Sequence, residues 1–350
     1  MLSFPEVLAA KKAIVWPEIE KYLAGLVRLP SYCQIPQKYS SLASFHQKIT
    51  AEYPRRQGKY LRPTLVLLTA AAMGFPQEKA LKTAAAMQVS EDWLLGHDDV
   101  EDNSQERRGQ PTLHRLYGVE LAINAGDALH ILMWKILADN FSLLGQKKAL
   151  AIEEEFYQML NRTALGQTVE IKWARENRLD LTDEDIFFIL DGKTSYYTIA
   201  GPMRLGAILA NGSQKQLVFL YQFGQILGRA FQIRDDLLDL TSDFAGLKKQ
   251  TGNDIYEGKR TIMLAHLLRS AKGRDRQKLL KVLAKKREEK SEEEVLWVIK
   301  AMEKYGSLSY GEKLAQKAGE FFGKNLGFLK KEPARSQIKA GIDFMVERRY

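Results

Sequence analysis

An all-α fold follows from three observations. Prolines are few, ten in 350 residues, while Ala, Leu, Glu, Lys and Gln recur throughout; these are residues that lose little on entering a helix. Ser, Thr and acids open the apolar-periodic segments, and Gly or Pro stands just past their ends. No run alternates β-branched and polar residues as a half-buried strand does. With 45% hydrophobic and 27% charged residues the composition is globular, which excludes global disorder and collagen-like repetition. No internal repeat or low-complexity linker marks a boundary. A single all-α domain over 1–350 is therefore expected, with a motif-bearing core over about 50–270 and a helical C-terminal region over 271–350.

The elements follow in order. Gly74 and Pro76 end one helix. The next is expected from Glu78 to Asp102, with Ala84, Met87, Glu91 and Leu95 at helical spacing before Asp98 and Asp99. Thr182 followed by Asp183, Glu184 and Asp185 reads as a cap with acids in the first turn. Asn211-Gly212 marks a turn, and Ser213 opens a helix running to Thr241, whose Leu220, Phe223, Leu227, Ala230 and Leu237 form an apolar stripe. Ser291 with Glu294 is a capping box, and Gly306 breaks the helix after it. Met and Phe on such stripes are core residues and are assigned no chemistry.

The lone Cys33 excludes a disulfide framework and a Cys-rich zinc site, and fits a reducing, cytoplasmic compartment. No targeting segment is expected, because Lys11 and Lys12 interrupt the N-terminal apolar run. No stretch of about 18 uninterrupted apolar residues occurs, so no membrane span is expected. The net charge is +9, and residues 271–350 hold 20 basic and 12 acidic residues, so most of the excess lies there. Those charges alternate in sign, as on a solvated helical surface, and no partner nucleic acid is expected.

Two acidic clusters resist a bland reading. The first helix ends in His97-Asp98-Asp99-Val100-Glu101-Asp102, the second in Gln232-Ile233-Arg234-Asp235-Asp236-Leu237-Leu238-Asp239. Asp98 and Asp102, like Asp235 and Asp239, are four apart and share a helix face, where each like-charge pair costs about 0.2–0.5 kcal/mol. A helix C-terminus is also the wrong end of the macrodipole for acids. One such cluster is commonly just an acidic helix end. Two, each closing an apolar segment, call for a compensating cation, and hard Mg²⁺ takes carboxylate and phosphate oxygens. The candidate metal residues are Asp98, Asp99, Asp102, Asp235, Asp236 and Asp239, for two or three ions. Cations accompany them: Lys59 and Arg62 at a helix start with Pro63, Arg107 and Arg108 after the first cluster, Lys193 beside Thr194, and Lys249 and Lys259 after the second. Each alone reads as solvated; together with six aspartates they suggest phosphate binding.

These residues resemble the trans-prenyltransferases of the polyprenyl synthetase family. The matching motifs are Gly58-Lys59-x-x-Arg62-Pro63, Asp98-Asp99-x-x-Asp102 with Arg107-Arg108-Gly109-x-Pro111-Thr112, Gly166-Gln167, Lys193-Thr194, Phe231-Gln232-x-x-Asp235-Asp236-x-x-Asp239, Lys249, and Asp254-Ile255-x-x-Gly258-Lys259, with Phe344-Met345-Val346-Glu347-Arg348 near the end. The resemblance implies an isoprenoid synthase-type bundle around a central cavity, a homodimer, and head-to-tail condensation of isopentenyl diphosphate with an allylic diphosphate. It implies that the aspartates hold Mg²⁺ on the allylic diphosphate, with Arg107, Lys193, Gln232, Lys249 and Lys259 lining that site. Gly58, Lys59, Arg62 and Arg108 would bind isopentenyl diphosphate, and Thr194 and Gln232 would face the developing carbocation.

Two positions depart from the family pattern. Glu91 stands where the family usually has His or Gln near isopentenyl diphosphate, and would repel it unless paired with Lys59, Arg62 or Arg108. Glu170 replaces the common Asp after Gly-Gln. Product length depends in the family on residues just before the first aspartate motif, here Trp93 and Leu94; bulky Trp93 implies a short product, farnesyl or geranylgeranyl diphosphate. Four other readings compete, one of them a basic helical binding module using the C-terminal region. His97-Asp98 could belong to an HD-type metal phosphohydrolase, with His46, His114 and His130 available as ligands. A class I terpene cyclase would lack the Lys59–Arg62 motif. A catalytically silent prenyltransferase-like subunit would usually lose an aspartate motif, and both are complete.

Overall fold

The computed structural model describes residues 2–241, 251–320 and 326–347. Lys249 lies outside the described residues, as does Arg348. Helices dominate throughout, and the only strands among the described residues are two of two residues each. The chain forms two compact units, one of residues 1–155, 202–213 and 329–338, the other of 156–201, 214–328 and 339–350.

The first unit holds α1 (Phe4–Gly25), α2 (Ser40–Thr50), α3 (Glu52–Arg55), α4 (Leu61–Ala72), α5 (Gln77–Glu101), α6 (Leu113–Tyr117), α7 (Val119–Ala138) and α8 (Asn140–Leu144). α4 and the middle of α5 are buried nearly all round, from Pro63 to Ala70 and from Thr83 to Ser90. Small residues at Ala84, Ala85 and Ala86 let α5 pack closely with α4 and α7. Gly74, with φ +88°, turns the chain between α4 and α5 as the sequence indicates. The expected helix from Glu78 to Asp102 is α5, displaced by one residue at each end.

Between α5 and α6 the chain makes a feature absent from the sequence reading. Glu106–Arg107 (β1) pairs antiparallel with Gln110–Pro111 (β2). Arg108 and Gly109 form the turn with φ of 55° and 73°, the positive angles a tight primed hairpin needs. Two-residue strands are too short to show alternation, so periodicity could not reveal them.

One stretch, Val119–Leu144, is long and apolar enough to cross a membrane by length and composition, and half of its apolar window is buried in the fold. Glu120, Asp127, Lys135 and Asp139 interrupt it, so it is not an unbroken apolar run.

The second unit contains most of α9 (Gln146–Arg175, which begins in the first), α10 (Asp183–Leu190), a π-helix over Asp191–Ala200, α12 (Gln214–Thr241), α13 (Asn253–Glu257), α14 (Ile262–Ser270), α15 (Gly273–Leu283), α16 (Glu292–Lys304) and α17 (Ser307–Glu320). α11 (Gly201–Leu209) and the start of α18 (Ala334–Glu347) belong with the first unit. Thr182 caps α10 and Ser291 caps α16, each by a reciprocal capping box. Leu237, Leu240, Ile262, Leu264, Leu267, Val298 and Met302 lie in the unit's core. Gly224 and Gly228 of α12 lie against Ala200 and Ser195 of the π-helix; a Cβ on either would come within 2.5 Å or less of the facing backbone.

Candidate active site

In both aspartate motifs helix geometry divides the three acids. Residues four apart share a face, and the one between them points about a quarter-turn away. Asp98 and Asp102 are partly exposed, while Asp99 is fully buried. Asp235 and Asp239 are partly exposed, while Asp236 is buried. The buried member of each set has internal work.

Asp99 holds the hairpin. Arg107 donates from Nε and NH2 to its carboxylate, the NH2–Oδ1 distance being 2.5 Å, and Tyr53 donates its hydroxyl at 2.6 Å. Burial opposes the charge of Arg107, but the Asp99 hydrogen bonds and charge outweigh it and hold the guanidinium pKa above its usual value. The same Arg107 lies 3.7 Å from Asp98, and so links the buried and the accessible acid.

Across the hairpin turn Arg108 points back toward the start of α4. Its NH1 donates to the Tyr53 carbonyl at 2.9 Å, and its NH2 lies 2.9 Å from Asp92 and 3.9 Å from Glu91. The Asp92 contact is an ion pair without hydrogen-bond alignment, since neither Arg108 NH2 nor Asp92 Oδ1 has a hydrogen-bond partner. Gly58 makes the approach possible, because a Cβ there would sit 2.7 Å from Arg108 NH2. Arg62, the second residue of α4, lies 3.2 Å from Glu91. Gly58, Arg62, Glu91 and Arg108 thus come together. Lys59 is exposed beside them in sequence. Asp92, buried among these groups, has its carboxyl pushed up to about 6, first by burial and then by the Glu91 charge, against the pull of Arg108.

Trp93 and Leu94 are half-buried on α5. The Trp93 ring stacks on His130 of α7, with centroids 4.2 Å apart and planes 16° from parallel. Trp134 donates its indole N–H to His130 Nε2 at 2.8 Å, which fixes that nitrogen as an acceptor.

In the second unit the π-helix presents Lys193 and Thr194. Lys193 pairs with Glu170 of α9 at 2.5 Å. Thr194 donates its hydroxyl to Gln232 Oε1 at 3.0 Å, and Gln232 in turn donates its amide N–H to Asp236 at 2.7 Å. The carboxyl of Asp236 is raised well above the usual range by burial and by the charge of Asp254. Asp254 is raised too, by burial and by neighbouring acids including Glu257 and Asp235, while Lys259 counteracts. Lys259 pairs with Glu257 at 2.7 Å and lies 3.6 Å from Asp254. Asp239 accepts the Asp254 backbone N–H at 3.1 Å and so fixes the start of α13. Glu170, Asp254 and Glu257 were not among the predicted ligating groups. The Asp254-Ile255-x-x-Gly258-Lys259 motif was the signal for the last two.

Among the described residues no three His, Cys, Asp or Glu side chains gather closely enough to cage a metal. The donors beside both accessible faces are hard oxygens, which fits a cation held by one or two carboxylates and completed by phosphate oxygens. The mutual repulsion of Asp235, Asp236 and Asp254, only the second of them buried, is one that such a cation would relieve.

The polyprenyl synthetase family model matches residues 44–302, which include both aspartate motifs. The chain is 33% identical over 293 residues to the short chain isoprenyl diphosphate synthase of Methanothermobacter thermautotrophicus, covering 84% of this chain and 87% of that protein. It is 32% identical over 299 residues to the geranylgeranyl diphosphate synthase of Sulfolobus acidocaldarius, covering 85% and 84%. Its fold matches that of geranylgeranyl pyrophosphate synthase from Corynebacterium glutamicum, a structure complexed with isoprenyl diphosphate and magnesium, with a TM-score of 0.83, 26% identity and 99% of each chain covered. This chain belongs to the polyprenyl synthetase family and is a prenyltransferase.

Proposed function

We propose that this prenyltransferase joins isopentenyl diphosphate head to tail to an allylic diphosphate, giving a short all-trans prenyl diphosphate, farnesyl or geranylgeranyl. One repeated observation carries the reading. Twice, on separate helices, two accessible aspartates a turn apart stand beside a buried third and a set of Lys or Arg side chains.

Asp98, Asp102, Asp235 and Asp239 would be the magnesium-holding residues, for two or three ions, with Asp99 setting the pose of Arg107 and Asp236 that of Gln232. When bound, magnesium neutralises the charge that grows on the leaving pyrophosphate. Arg107, Lys193 and Lys259 would supply positive charge to a diphosphate, with Lys249 assigned that role by the family resemblance alone, and Lys193 would give up Glu170 to do so. The allylic C–O bond breaks with its electron pair going to pyrophosphate. The double bond of isopentenyl diphosphate then attacks the cation, and a proton is lost. Thr194 donates its own proton to Gln232, which leaves the hydroxyl lone pairs available to positive charge. Gly58, Lys59, Arg62 and Arg108 receive isopentenyl diphosphate. Trp93, braced on His130, ends the space for the growing chain, with Leu94 beside it.

A homodimer in the cytoplasm completes the proposal. Its support is the exposed side of α7, where Val119, Leu121, Ile123 and Ile131, each more than a third exposed, are spread among polar residues. The deciding experiment incubates purified protein with Mg²⁺, labelled isopentenyl diphosphate and each allylic primer, and sizes the products. Elongation to farnesyl or geranylgeranyl diphosphate supports the proposal. No elongation with any primer at adequate Mg²⁺ rejects it and favours a silent subunit.

A further inference from the structure

Glu91 is anionic where the proposed site must receive an anion. It lies 3.2 Å from Arg62 and 3.9 Å from Arg108, and its side chain is only 13% exposed. Asp92 holds the other side of Arg108 at 2.9 Å. Two guanidinium charges therefore face two carboxylates, and within these four groups the charges balance before any substrate arrives. The carboxylates differ in their hold. Asp92 is 1% exposed and is the fixed partner of Arg108. Glu91 reaches Arg62 through Oε1 alone, while its Oε2 is buried and has no hydrogen-bond donor among the described residues. A buried carboxylate oxygen without a donor is a poor resting state, so this side chain is the easier of the two to displace.

We propose that Glu91 is a built-in competitor for the diphosphate of isopentenyl diphosphate. The proposal rests on the reading above that Arg62 and Arg108 receive that substrate. In the resting enzyme Glu91 occupies Arg62 and faces Arg108. Entry of the diphosphate replaces a one-oxygen carboxylate contact by bidentate phosphate contacts on both arginines. The exchange is favourable, but binding is weakened by the cost of displacing Glu91 and by its residual repulsion. Glu91 thus sets the enzyme to work at higher isopentenyl diphosphate concentrations than the same site with a neutral side chain would need. It acts as a specificity-determining side chain and takes no part in bond making or breaking.

The test measures steady-state kinetics for the wild type, Glu91→Gln and Glu91→Ala, varying isopentenyl diphosphate and the allylic primer separately. Removing one partly buried charge contact is expected to lower KM for isopentenyl diphosphate roughly three- to tenfold in Glu91→Gln, with KM for the allylic primer moving far less. Glu91→Ala should shift in the same direction, and it serves if the glutamine variant does not fold. An unchanged or raised KM for isopentenyl diphosphate in a folded variant overturns the proposal, because a carboxylate that merely positions the arginines would be missed when removed. The wild-type assay keeps the two levels apart. If the wild type elongates no primer, the functional reading fails; if it elongates and the variants do not gain affinity, only the role of Glu91 fails.

Discussion

Asp92 carries a charge that burial resists, and stability should report it. Its carboxyl is raised from an ordinary 3.8 to about 6 in the fold. Between those values the native state holds a proton that the unfolded chain has released, so this residue's contribution falls as pH rises from about 4 to 6. The full effect is on the order of 2–3 kcal/mol. Most surface acids pull the other way over this range, so the comparison must be internal. Denaturant midpoints against pH should show Asp92→Asn gaining on the wild type between pH 4 and 6; a constant difference would refute the assignment. Trp93 gives a second residue-scale outcome. Its stacking on His130 holds the indole in place, so Trp93→Ala should lengthen the prenyl product in the sizing assay, and an unchanged product would show that the floor lies elsewhere. At this scale the sequence disclosed which residues matter and concealed how they pair. Asp99 meets Tyr53 across 46 positions, and Asp239 accepts the amide of Asp254 across 15. The split between accessible and buried aspartates does follow from helical spacing, but no spacing names their partners.

The long helices were legible as elements because each keeps its apolar period over many turns. α5 and α12 begin and end within a residue of their expected limits. The hairpin and the π-helix were not, since one is too short for any period and the other depends on a wider hydrogen-bond ring that no composition marks. The π-helix also gives two glycines of α12 their role. A Cβ at Gly228 would stand 2.3 Å from the Ser195 Cα, and one at Gly224 would stand 2.5 Å from the Ala200 Cα. These bare positions let α12 press against the π-helix, and that closeness lets Thr194 reach Gln232 at 3.0 Å. Gly228→Ala must push the two elements apart, because the obstacle is backbone that cannot rotate away. Overpacking of this kind costs about 1–3 kcal/mol, read as a lower denaturation midpoint. The folded variant should also lose kcat more than affinity for either diphosphate, since the stretched pair is the one assigned to the developing cation. Full activity in a folded Gly228→Ala protein would separate that pair from the chemistry.

For the whole molecule the informative feature is surface that composition alone could not place. An overall hydrophobic share of 45% gives no hint of where apolar side chains gather. The fold puts Val119, Leu121, Ile123 and Ile131 on the open side of α7, with Ile131 69% exposed. Single exposed apolar residues are ordinary, but four on one helix, even with Glu120 and Asp127 among them, make α7 the place to look for a partner. The same stretch satisfies the length and composition of a membrane span, yet its other face is packed against α5, so the helix could not leave the core without exposing that face too. A second copy of the chain is the occupant that needs no such rearrangement. Sedimentation of the wild type should therefore give a dimer at micromolar concentration. Ile131→Glu should shift that equilibrium toward monomer without lowering the denaturation midpoint, because the side chain is exposed within one chain and a charge there costs nothing until two faces meet. A wild type that sediments as a monomer at every accessible concentration, or one that instead partitions onto lipid vesicles, would show that this face serves another partner.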